Sequence, residues 1–246
     1  MRPLNAHFAQ SDALKTHSPA AEWTRNSESF RQLWKWGGNW DGIQARLKSP
    51  FSVDLDRRKK IAEVLRQQYN RGSASMPAAL KAFQQGAHVV TAGHQLQAGG
   101  GPAYFHYKIL SAIRWARRIT ADGQTAVAVF WLASEDHDFE EIKATHGPGG
   151  QSFEWSPEGV EKNGPVGELV WTADAERSWH NWANANNIDN AEWHSGPMPL
   201  ADRIRKWVVE WFGDLDVLVS DGNDAELKSM AMHLWRAEWQ GQGVAP

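Results

Sequence analysis

The chain contains no cysteine, which excludes disulfides, thiolate metal ligands and a thiol nucleophile within its 246 residues. Any thiol chemistry must come from a substrate. Long apolar runs are missing as well: MRPLNAHFAQSDALKTHSPA, at the start, holds nothing of signal-peptide length, and no later segment approaches a membrane span. A cytoplasmic location with no membrane partner is the expectation. Charge of one sign is scarce too. The formal net charge is -3, with Lys and Arg scattered among Asp and Glu, so no basic stripe is available to hold nucleic acid. Internal repeats and low-complexity segments are lacking.

What is present suffices for a full core, in one large α/β domain or one domain with a smaller appendage, and we favour the second. The 15 tryptophans each offer a large apolar area, and several recur at helical spacing, so most are expected to be packing residues. Residues 1–50 read as an irregular N-terminal arm, with a short helix near Glu28 to Trp36 and breakers at Gly37, Gly38 and Pro50. Residues 51–246 read as the α/β core. Asp54 can cap a helix over Asp56 to Asn70 that stops at Gly72, and a shorter helix is expected from Pro77 to Gly86.

His88 to Thr91, ending in Gly93, and TAVAVFWLA, Thr125 to Ala133, read as buried strands. Between them Phe105, Ile109, Ala112, Ala116 and Ile119 are spaced four, three, four, three, the core face of an amphipathic helix. Strand, helix, strand in this order is a βαβ unit with a right-handed crossover and parallel strands. The predicted fold class is therefore α/β, a Rossmann-like parallel sheet with flanking helices. Downstream, Glu168 to Thr172 and LDVLVS, Leu215 to Ser220, are strand candidates. Asp202 to Phe212 and Asn223 to Trp239 are helix candidates.

The segment TAGHQLQAGGGPAYFHYK joins the first strand to its helix. Gly99, Gly100 and Gly101 permit close backbone approach, and Pro102 fits the first helical position, so free N–H groups at a helix N-terminus suit an anion. A plain turn is the competing reading, because neither the Walker pattern nor GxGxxG is matched. His94 follows the strand directly, where open α/β sheets bind ligands; it can touch phosphate, act as acid or base, or cap the turn. Gly93, Gln95, Gly100, Gly101, Tyr104 and Lys108 make up the candidate substrate- or anion-binding set. His106 and Lys108 can equally be solvated helix residues, with Lys108 the better anion ligand.

The second cluster, Ser134 to Glu141, packs five carboxylates and an imidazole into eight residues just after a wholly apolar strand. A charge run is usually a solvated loop, yet neighbouring carboxylates raise each other's pKa and can hold a proton for acid or base work. Glu135, Asp136, His137 and Asp138 join His94 as catalytic candidates. No second ligand set has metal-site spacing, so no metal ligand is assigned and a metal cofactor stays open. Parallel strands joined by one crossover end at the same sheet edge, so Asp136 and His137 are expected to share a cleft with His94. Glu140 and Glu141 are expected on the next turn, in solvent.

These two motifs, GHQ...GP.YF.YK and FWLASEDHDFEEI, closely resemble the family of cysteine ligases that complete bacillithiol synthesis. The resemblance extends through Gly164, Pro165, Val166, Gly167 to LDVLVSDGNDAELK, spanning roughly Phe30 to Met230. It implies a Rossmann core like that of class I nucleotidylyl transferases, with a connecting-peptide insertion starting near residues 147–200, and a chain corresponding to the family's N-terminal half, cut before its helical coiled coil. It implies a reaction joining the cysteine carboxyl to the amine of glucosaminyl malate, driven by a nucleotide, with ATP or ADP as the suspected cofactor, through an acyl adenylate or acyl phosphate. It also implies a homodimer in the family, whose dimerisation element this chain would lack. Ala98 and Gly99 stand where relatives carry bulky apolar residues, which predicts a more flexible loop. Two alternatives remain: a nucleotidylyl transferase-like enzyme for another acid, although the HxGH signature is absent, and a non-catalytic fragment that binds nucleotide or substrate.

Overall fold

A computed structural model describes residues 28, 36, 39–49, 53–147, 150–157, 164–188 and 196–242. The chain divides into two compact units, Met1–Val53 and Asp54–Pro246. In the first, helix α1 (Trp40–Lys48) starts where the Asn39 side chain accepts the Gly42 N–H at 2.9 Å. Regular structure thus occurs inside the segment expected to be irregular. The helix expected near Glu28 to Trp36 lies outside the described residues except at its two end positions.

The second unit opens with α2 (Leu55–Arg71), which begins at Asp54 because that carboxylate accepts the Arg57 N–H at 2.9 Å. α3 (Ala79–Gln84) follows. Strand β1 (His88–His94), helix α4 (Ala103–Ala121) and strand β2 (Ala126–Leu132) form the βαβ unit, with β1 and β2 parallel and His94 opposite Leu132. All five residues of the four-three spacing on α4 are buried, joined by Ile113. Pro102 is the N-cap and not the first helical residue, in extended conformation at φ -67°, ψ 153°.

After β2 the chain makes a short helix α5 (Phe139–Ile142), an antiparallel hairpin β3 (Ala144–His146) and β4 (Ser152–Glu154), strand β5 (Val170–Trp171) and helix α6 (Ala173–Ala185). β6 (Met198–Pro199) pairs antiparallel with β5 and leads into α7 (Leu200–Phe212). Strand β7 (Leu218–Asp221) then returns to the sheet parallel to β2, and α8 (Ala225–Trp239) follows. The sheet order is β1-β2-β7.

Both faces of this sheet are covered, as parallel sheets require. Ala128, Phe130, Leu132 and Val219 join α4 and α7 in one core cluster, whereas Val127, Val129 and Leu218 join α2 and α3 in the other. Alternation along the strands sorts the side chains between the two helical layers. The tryptophans extend the first cluster into the segment between β2 and α7: Trp155 packs 5.1 Å from Trp171, and Trp207 lies 5.3 Å from Trp171 and 5.6 Å from Trp179. Their role here is packing, as expected. Trp235 and Trp239 on α8 are exposed.

Beneath the aromatic cluster lies a buried ion pair that the sequence did not announce. The Glu176 carboxylate accepts from Arg203, at 2.9 Å from Nε, and from the Trp171 indole, while the Arg203 guanidinium stacks 4.3 Å over the Trp207 ring. Arg203 and Glu176 are both 1% exposed. Each satisfies a charge the other would leave stranded in an apolar setting.

Candidate active site

The C-terminal edge of the sheet gathers the ends of β1, β2 and β7. His94, the last residue of β1, is 6% exposed, with its ring 5.0 Å from that of Tyr104 and 5.6 Å from that of Phe105, both on the first turn of α4. Its Nδ1 lies 3.1 Å from the Gln95 carbonyl. A carbonyl only accepts, so Nδ1 carries the proton and the neutral ring keeps its lone pair on Nε2. Burial holds the His94 pKa below the ordinary 6.5, and the Lys108 charge pushes the same way, against the Gln95 carbonyl and Glu141. One turn along α4, Lys108 Nζ donates to the Gly93 carbonyl at 3.0 Å. Gly93 itself is closely packed, because a Cβ there would stand 3.1 Å from the Trp131 carbonyl. Gly93, His94, Tyr104 and Lys108 therefore form one constellation.

The glycine turn has a different job from the one expected. The N–H of Gly100 donates to the Gln97 carbonyl at 3.0 Å and that of Gly101 to the Ala98 carbonyl at 3.3 Å, so neither is free for an anion. Gly99, Gly100 and Gly101 all have positive φ, of 63°, 77° and 58°. A Cβ on Gly99 would fall 1.9 Å from the Trp179 ring, and one on Gly101 equally close to the Gln97 side chain. The loop expected to be flexible is a packed turn that seats the start of α4 against the aromatic core.

Beyond β2 the acidic cluster is divided among several roles. Asp136 Oδ1 accepts the N–H groups of His137 at 2.7 Å and Asp138 at 3.1 Å, and Asp138 caps α5 by accepting the Glu141 N–H at 3.2 Å. Both carboxylates are thereby committed to backbone. Glu135 is exposed, accepts from the Trp131 indole at 3.2 Å, and overlies Gly222 so closely that a Cβ there would strike it. His137 is exposed. Glu141 is exposed, as expected, and also links the β1 and β2 loops. Gln97 Nε2 donates to its carbonyl at 2.8 Å and Gln95 Nε2 lies 3.5 Å from its Oε2.

Sequence reasoning missed the third strand end. Asp221 closes β7 and is buried; its Oδ1 accepts from Ser134 Oγ and, at 3.0 Å, from the Asn223 N–H, while Oδ2 takes Arg71 Nη2 at 3.1 Å. Arg71 also bonds Asp202 at 2.9 Å, and Asp202 pairs with the fully buried Arg205. This network ties the β2 loop to β7, α2 and α7. A Asp-x-x-Arg pair on a helix, as in Asp202 and Arg205, reads from sequence as a solvated ion pair, which is why it escaped. Among the described residues no group of three or more His, Asp or Glu is arranged to hold a metal, and no helix is long and apolar enough to cross a membrane.

A parallel sheet with both faces covered and polar groups collected at its C-terminal edge is a Rossmann-like domain, a fold in which ligands generally bind at that edge. The family model described as "Bacillithiol biosynthesis BshC, N-terminal Rossmann-like domain" matches residues 10–244, and the chain belongs to this family. Among curated relatives named "Putative cysteine ligase BshC", that of Flavobacterium johnsoniae is 35% identical over 152 residues, 56% of this chain and 27% of the relative. That of Cytophaga hutchinsonii is 30% identical over 200 residues, 76% of this chain and 34% of the relative. A third, from Staphylococcus haemolyticus, is 46% identical over 68 residues, 27% of this chain and 13% of the relative. The chain spans about a third or less of the length of these relatives.

Proposed function

We propose that this chain is the Rossmann-like part of a ligase that forms the amide between the carboxyl group of cysteine and the amine of glucosaminyl malate, giving bacillithiol in the cytoplasm. The observation that carries the reading is membership of the bacillithiol biosynthesis family over residues 10–244. The absence of cysteine from the chain accords with a thiol supplied by substrate.

Amide formation needs an activated carboxyl group, and a nucleoside triphosphate supplies that activation when bound. One donor at the end of β1 suits its phosphates: Lys108 has ammonium protons beyond the one given to Gly93. The Gly100 and Gly101 N–H groups do not suit, being used within their turn. The attacking amine must shed a proton, and His94 is fit to take it. Its depressed pKa keeps it neutral near pH 7, with Nε2 free as acceptor. Glu135, on the facing loop, holds an exposed carboxylate for the amine of the acceptor.

Incubation of the chain, and of the full-length Flavobacterium johnsoniae relative as control, with cysteine, glucosaminyl malate and ATP should yield bacillithiol by mass spectrometry. No product from the relative would overturn the reaction; product from the relative alone would reduce this chain to a binding domain.

A further inference from the structure

Trp131 belongs to neither core cluster, unlike the tryptophans between β2 and α7. Alternation along β2 puts it on the same face as Val127 and Val129, at the C-terminal end of the strand, and it is half-buried. A glycine stands beside it on each neighbouring strand end. A Cβ on Gly93, its register partner on β1, would lie 3.2 Å from the Trp131 Cβ, and a Cβ on Gly222, just after β7, would lie 2.7 Å from the indole Nε1. Neither glycine has a positive φ, so what the missing side chain supplies at these two positions is room.

That room is taken by an indole and the carboxylate it holds. After β2 the Asp136 N–H closes a turn on the Ala133 carbonyl at 3.4 Å, and the chain brings Glu135 back over Trp131, whose Nε1 donates to Oε1 at 3.2 Å. Oε2 overlies Gly222 so closely that a Cβ would strike it, and among the described residues no hydrogen bond reaches this second oxygen. The Leu132 carbonyl, which accepts the Gly222 N–H at 3.0 Å, bounds the same space from the strand side. Fixing an exposed carboxylate loses side-chain entropy and adds little stability in water. A ligand that needs a carboxylate in one place, in contrast, finds that ordering already done.

We propose that Trp131 is a positioning residue for the acceptor amine: its indole N–H holds Glu135 by Oε1 above the bare Gly222, and Oε2 accepts from the ammonium of the amino sugar. The identity of that amine rests on the proposed function; the hold of Trp131 on Glu135 does not. An ammonium presents several donors around a compact charge, so its bond to a carboxylate is charge-assisted and its affinity depends on where the oxygen is kept.

Indole ¹H–¹⁵N signals read the hold, and calorimetry with glucosaminyl malate reads its use. The signal absent from Trp131→Phe belongs to Trp131; it should move in Glu135→Ala without ligand, and move again when glucosaminyl malate binds the parent chain. Glucosaminyl malate should bind about fivefold more weakly to Trp131→Phe, about tenfold more weakly to Glu135→Ala, and no more weakly to the double variant than to Glu135→Ala. Its N-acetylated form, in which the amine is masked, should not distinguish the parent from Trp131→Phe. An indole signal indifferent to Glu135→Ala would overturn the proposal. So would additive losses in the double variant or an equal loss for the acetylated form, either of which would mark Trp131 as packing alone. Failure of the parent chain to bind glucosaminyl malate would overturn it too. Should Trp131→Phe not fold, the exposed Glu135 decides the matter: one indole signal must hold its place in Glu135→Gln, which keeps an acceptor, and move in Glu135→Ala, while both variants lose the amine. Bacillithiol formed without this coupling would remove the inference and leave the reaction; the coupling without bacillithiol would do the reverse.

Discussion

Replacing Asp221 by Ala probes the clamp that holds the three strand ends together. The carboxylate is 6% exposed and receives Ser134 Oγ, the Asn223 N–H at 3.0 Å and Arg71 Nη2 at 3.1 Å, with Arg205 Nη2 at 3.9 Å. Its loss is partly cushioned. Ser134 keeps the Leu132 carbonyl at 3.3 Å, Asn223 keeps Ser134 Oγ at 2.9 Å, and the half-exposed Arg71 keeps Asp202 and gains water. Arg205 has no such relief, being 0% exposed and left with Asp202 as its counter-charge. Losing two or three charge-assisted bonds at about 1.5–3 kcal/mol each, less what the survivors recover, gives about 3–5 kcal/mol. Against a typical stability of about 5–15 kcal/mol this is a large fraction. Urea unfolding followed by tryptophan fluorescence reads it directly. Ser134→Ala should cost about 1 kcal/mol alone, and the double variant should show a coupling of about 1–2 kcal/mol. An Asp221→Ala midpoint within about 1 kcal/mol of the parent, at unchanged denaturant slope, would refute the clamp.

Three further outcomes follow from the same structure. Glu176→Ala leaves the buried Arg203 with Glu210, 3.8 Å away, as its counter-charge and should cost about 3–5 kcal/mol, whereas Glu176→Leu combined with Arg203→Met should cost far less; equal losses in urea melts would contradict a desolvation-limited pair. Gly99→Ala meets both a φ of 63° and the Trp179 ring, so a loss of about 2–4 kcal/mol is expected by thermal unfolding, and a neutral result would show that the turn yields easily. Burial holds His94 and His106 below the ordinary 6.5, so stability is fully present above that pH and falls as acid protonates the unfolded chain first, through the interval down to the lowered native values. The urea midpoint should therefore drop between pH 7.5 and 5.5, and His106→Gln should shrink the drop; an unchanged drop would assign it elsewhere.

The parts of the fold that were legible are those whose burial shows as period. Phe105 to Ile119 kept their spacing because one side of α4 meets the sheet, and TAVAVFWLA reads as a strand because β2 is covered on both faces. The site was legible as a place more than as a list of roles. Lys108 reaches back from α4 to the end of β1 beside His94, and Asp136 and Asp138 serve backbone. A signal for this existed: Asp138 with Glu141 three residues on is a helix-start pattern. Asp221 carried no such signal. A lone carboxylate after an apolar strand looks alike whether it faces solvent or, as here, an arginine 150 residues away in sequence.

The connection from β2 to β7 has a consequence in time. The first two strands are neighbours through one helix, whereas β7 reaches β2 only after the chain has passed through the hairpin, α6 and α7, all sharing one aromatic core. Contacts of such wide sequence separation form late, because their loop entropy is lost before any pairing compensates it. The chain should first assemble β1, α4 and β2, with the far side of β2 exposed, and then gain β7 and its Asp221 clamp in one slow closing step. The order in which the candidate site becomes whole is thus written into the length of a single crossover.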